Sequence, residues 1–102
     1  MFNNETQRYA VVKALLTNVG AEDLFDDASG EFMEPIRGYS SAETFIIDLA
    51  RGLITWDHPV VFWKGLAKLD LAMRAMVFDL FLAIHSGHRF IDDWTRAYAT
   101  RR

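Results

Sequence analysis

The chain has 102 residues, of which 51% are hydrophobic and 14% aromatic, a formal net charge of −3 and no cysteine. That is the length of one domain with ample apolar content for a core, which excludes a disordered chain and a disulfide-stapled scaffold. No stretch of about 18 uncharged apolar residues offers a membrane span, and the opening MFNNETQRYA lacks the charged start and apolar run of a secretory signal, so a cytoplasmic protein with no membrane contact is expected.

Glycine and proline divide the chain. The first segment, about 4–19, opens on Asn3 or Asn4 as a helix cap and stops at Gly20. Tyr9, Val12, Leu16 and Val19 line one face with Leu15 beside them, and Arg8 and Lys13 fall outside it. A short helix is predicted over 21–28, anchored by Leu24 and Phe25 and broken by Ser29-Gly30. Residues 31–39, with Pro35 and Gly38, read as a loop. Ser40-Ser41-Ala42-Glu43 is a capping-box pattern before an apolar run. The helix it opens, about 41–55, buries Phe45, Ile46, Leu49, Leu53 and Ile54 and turns Asp48 and Arg51 outward. Gly52 within it either weakens it or marks a close neighbour.

Trp56-Asp57-His58-Pro59 reads as a helix restart, with Asp57 capping, Pro59 in the first turn and Trp56 packed on Val61. Residues 60–84 form one helix or two, since Gly65 permits a bend and Asp70 can cap a second start. Leu69, Met73, Met76, Leu80 and Ala83 recur at spacings of four and three. A second row, Leu71, Arg74, Phe78, Phe81 and His85, lies opposite and is apolar at Leu71 and Phe78. A helix apolar on all sides must be enclosed. The segment 69–85 is therefore predicted to be the centre of the fold, with Leu71 and Phe78 covered by the chain or by a second copy. The last helix, about 89–100, buries Phe90, Ile91, Trp94 and Tyr98 and ends in arginines that suit its C-terminal partial charge. No run alternates with period two. The expected fold class is all-α: a compact single-domain bundle, 1–102, of five to six helices around a central apolar helix.

Chemistry-bearing constellations are few. His85, His88, Asp92 and Asp93 match no zinc spacing, and His85 and His88 straddle the Ser86-Gly87 break, so no metal site is expected. There is no phosphate-binding glycine loop and no nucleophile elbow, and no cofactor is implied. Asp79, set among Phe78, Leu80 and Phe81, would pair with a histidine in a minimal enzyme; a structural ion pair is the plainer role for it. A recognition helix rich in Arg, Lys, Asn and Gln is missing, which argues against direct nucleic-acid binding.

The clearest charge feature is Glu22, Asp23, Asp26, Asp27, Glu31 and Glu34, a run without a basic residue between them. Such a run meets a basic surface on another protein, and Phe25 and Phe32 inside it would serve as apolar anchors. The expected function is a small non-enzymatic interaction module whose partner is a larger protein with a basic surface. By analogy of size and charge, it would be an inhibitor of a host nucleic-acid-handling protein, of the anti-CRISPR kind made by phages and mobile elements. An antitoxin-like or regulatory helical homodimer through Leu71 and Phe78 is the alternative, and the minimal enzyme using Asp79 and a histidine is the second alternative.

Overall fold

The computed structural model describes residues 2–99. Over these residues the protein is an all-α bundle of five helices: α1 (Glu5–Thr17), α2 (Ser41–Thr55), α3 (Phe62–Leu66), α4 (Leu71–Ser86) and α5 (His88–Tyr98). Thr100, Arg101 and Arg102, the basic end expected for the last helix, lie outside the described residues. No helix among the described residues is long and apolar enough to cross a membrane.

Three helix starts are set by local hydrogen bonds. Asn4 Oδ1 accepts from the backbone N–H of Gln7 at 2.9 Å. Ser40 Oγ accepts from Glu43 N–H at 3.1 Å while Glu43 Oε1 accepts from Ser40 N–H at 2.8 Å, closing the capping box. Asp70 Oδ1 accepts from Met73 N–H at 2.8 Å, so 60–84 is two helices, with α4 starting after this cap. Each such cap is worth about 1 kcal/mol.

The enclosed helix is α1. Val11, Val12, Ala14, Leu15 and Leu16 are all buried, beyond the single stripe expected, because α2 and α5 both pack on it. Gln7, the one buried polar residue described, ties α1 to α5 near their N-termini. Its Nε2 donates to His88 O at 2.8 Å and to Asp92 Oδ1 at 3.0 Å. At the other end Asn18 Nδ2 donates to Tyr98 O at 2.7 Å. The first and last helices therefore run side by side in the same direction. The expectation that α4 is the enclosed centre is corrected. Met76, Val77, Leu80 and Ala83 enter the core, whereas Leu71 is 81% exposed and Phe78 50%. Phe90 is likewise exposed, although Ile91, Trp94 and Tyr98 are buried as expected.

Two further expectations are corrected. Residues 21–28 form no helix. A single 3-10 turn (Glu22–Leu24) leads into an antiparallel hairpin of β1 (Phe25–Asp26) and β2 (Glu31–Phe32), with Phe25 opposite Phe32 and Asp26 opposite Glu31. Gly30 closes the turn at φ +77°, and a Cβ there would lie 2.5 Å from Tyr9 Oη, so both backbone and space require glycine. The Trp56 restart is also absent. Trp56 caps the C-terminus of α2 in the left-handed region, its ring against the Arg8 guanidinium, and Pro59 precedes α3 rather than entering it.

Gly65 is required by contact rather than by bending: a Cβ there would sit 2.0 Å from Phe45 Cδ1. Gly65→Ala should destabilise the fold by about 1–3 kcal/mol through overpacking. Gly52→Ala, whose nearest atom would be His58 O at 3.9 Å, should instead add roughly 0.5–1 kcal/mol by favouring the helix. Urea denaturation of the two variants checks the contrast. In the same assay Gln7→Ala should cost about 1 kcal/mol, because the hydrogen bonds its buried amide makes to His88 O and Asp92 Oδ1 on α5 are lost.

Candidate interaction surfaces

The hairpin sorts its side chains by strand alternation. The Phe25–Phe32 pair faces inward: Phe25 is only 1% exposed, packs edge-on against Tyr9 at 5.1 Å between centroids, and meets Phe32 at 5.9 Å. Phe25 is thus core, which corrects its expected role as an exposed anchor; Phe32 is half-buried beneath the Arg51 guanidinium, 4.5 Å from its ring centroid. The Asp26–Glu31 pair faces water, and Glu22, Asp23, Asp27 and Glu34 are exposed as well.

The fold brings three cations toward this acidic segment, Lys13 from α1, Arg51 from α2 and Arg37 from the loop that follows the segment. Arg51 meets Glu34 at 3.1 Å and also donates to Met33 O. Its side chain is only 12% exposed, so it does not point outward as expected. Lys13 Nζ donates to Glu22 O at 2.8 Å, and Arg37 donates to Gly20 O at 2.6 Å. These last two bind backbone carbonyls. Among the described residues Glu34 alone of the six acids forms an ion pair. Asp26 Oδ1 accepts from the Ala28 N–H at 2.9 Å. That bond, reinforced by the Ser29 hydroxyl, holds the Asp26 carboxyl below the usual aspartate range.

The second surface is the outer face of α4. Leu71, Ala75, Phe78 and Leu82 follow one another at spacings of four, three and four, and all are exposed, Leu82 at 65%. Ala75 and Leu82 were missed in the sequence because the row taken there ran through Arg74 and Phe81. The spacing from Leu71 was the available signal. Phe81, at the side of this row, stacks on Phe62 at 5.6 Å, and Phe62 packs on Phe45 at 6.2 Å. On the other side an open cleft between α4 and α5 is lined by Leu82, Ser86, Phe90 and Tyr98.

The polar candidates are dispersed. Asp79 accepts a 2.7 Å hydrogen bond from Tyr98 Oη. Asp92 is engaged by Gln7, and His58 Nε2 lies 3.0 Å from Asp48 Oδ1. Among the described residues no three His, Cys, Asp or Glu side chains gather where they could hold a metal ion. No family model, curated protein or solved structure shows detectable similarity to this chain.

Because its pKa is lowered in the folded hairpin, Asp26 contributes stability above the ordinary aspartate range, and that contribution fades as pH falls through the lowered value. Carboxyl NMR titration should find Asp26 ionising below ordinary aspartates. Ser29→Ala should move it part of the way back.

Proposed function

We propose that this chain is a small non-enzymatic interaction module that docks its acidic hairpin on a basic surface of a larger protein. The observation that supports this is the outward Asp26–Glu31 pair. Like charges directly opposite each other in a ladder destabilise it, yet here they stand on a hairpin fastened to the core by Phe25 and Phe32, with Asp27 beside them. Asp26 is held there by its bond from the Ala28 N–H, but a module whose only requirement were stability would gain from a lysine opposite it at position 31. Exposed carboxylates on a rigid stand suit fast, salt-sensitive association with a complementary field. In the narrower form of the reading, the basic surface is the nucleic-acid channel of a host protein and the chain is its inhibitor.

The test is a triple variant, Asp26→Asn with Asp27→Asn and Glu31→Gln. Asp26→Asn keeps an oxygen to accept from the Ala28 N–H, so stability should stay within about 0.5 kcal/mol of wild type. A protein captured from the source cells by the immobilised wild-type chain at low salt should be released as salt is raised and should not be held by the variant. Equal retention of the captured protein by both, across a salt series, would remove the acidic hairpin from the interface.

A further inference from the structure

The geometry points to a second copy of this chain as the occupant of the α4 outer face, in a parallel, two-fold pairing of α4 with α4. Leu71, Ala75, Phe78 and Leu82 repeat as the core positions of a seven-residue pattern, and that face lies open along the helix. A contiguous apolar row of this kind on a small protein marks an interface. Charge selects the occupant and its direction. Arg74 flanks the row on one side and Asp79, five residues on, flanks it on the other. In a parallel pair these flanks meet, so Arg74 of each copy faces Asp79 of the other, giving two opposed-charge contacts related by the two-fold axis. In an antiparallel pair like flanks meet, and Arg74 never reaches Asp79. Both groups keep capacity for the contact. Arg74 uses only two of its five donors, on Leu66 O and Ala67 O, and the Tyr98 hydroxyl occupies a single acceptor position on Asp79. The parallel direction also sets the Phe62–Phe81 side of one copy against the α4–α5 cleft of the other, a ridge facing a groove.

Sedimentation equilibrium over a concentration series is the experiment. Wild type should reach the mass of two chains, and Phe78→Glu with Leu82→Glu should hold the mass of one chain while keeping its far-ultraviolet helical signal. Arg74→Glu should weaken association roughly tenfold, and adding Asp79→Arg should recover most of that loss. The chain has no cysteine, so Ala75→Cys supplies a single thiol, which should give a covalent dimer on mild oxidation because position 75 meets itself only in the parallel pair. A wild type that stays at one chain's mass at the highest concentration would overturn the inference. So would association indifferent to the Phe78 and Leu82 changes, or a dimer in which Ala75→Cys fails to cross-link. These outcomes are separate from those of the hairpin variant, which leaves α4 unchanged.

Discussion

The enclosure of α1 is the constraint on which the other elements depend. Its buried side chains are small or medium, Val11, Val12, Ala14, Leu15 and Leu16, so neighbouring helices approach it closely on more than one side. Gln7 and Asn18 then convert a slippery apolar contact into a fixed one. Each spans α1 to α5, across 81 and 80 residues of sequence respectively, and each satisfies a backbone carbonyl of α5. An apolar surface alone permits sliding and rotation at little cost, whereas a buried amide with its partners in place permits one register. The chain's two ends are thereby joined, and the segments between them must fold over what is left: α2 across α1, the hairpin against Tyr9, and α4 onto α5 through Trp94, whose Nε1 donates to Met76 O at 3.0 Å.

This arrangement explains why α4, although richer in large apolar residues than α1, is not the centre. A helix can be buried only on the sides its neighbours occupy, and here α1 already takes up faces of both α2 and α5. α4 packs chiefly on the remaining face of α5, with Met76, Val77, Leu80 and Ala83 buried, while its opposite row stays exposed. Hydrophobicity read along a sequence reports what a helix would gain by burial, not whether the fold has a surface left to bury it. The helix ends were legible for the opposite reason. Asn4, Ser40 with Glu43, and Asp70 act within three residues of sequence, so the residue types and their spacing contain the whole interaction.

The acidic segment shows the same division. That Leu24 turns inward was readable, whereas Phe25, offered to a partner on the strength of its acidic neighbours, is core. That the segment forms a hairpin was not readable, because strands of two residues are too short for alternation to register. The local signal was the Asp26-to-Gly30 turn, an aspartate whose side chain accepts from the backbone two residues on and a glycine at positive φ. Arg51 was unreadable altogether. Its role spans 17 residues to Glu34, and it combines an ion pair with a stack on Phe32 that only the folded chain assembles.

Two surfaces of different physics therefore face away from the same core. The hairpin is charged and fastened by aromatic burial, so its contribution to binding is long-ranged and weakens with salt. The α4 face is apolar with one opposed pair of charges at its flanks, so its contribution is short-ranged and persists in salt. The Phe25–Phe32 cluster packs on Tyr9 of α1, while the buried face of α4 packs chiefly on α5. Changes confined to one surface leave the packing beneath the other intact. Substitutions at Asp27 or at Leu82, each exposed, are thus separable from each other and from the fold, because the residues that hold α1 in place lie beneath both surfaces and belong to neither.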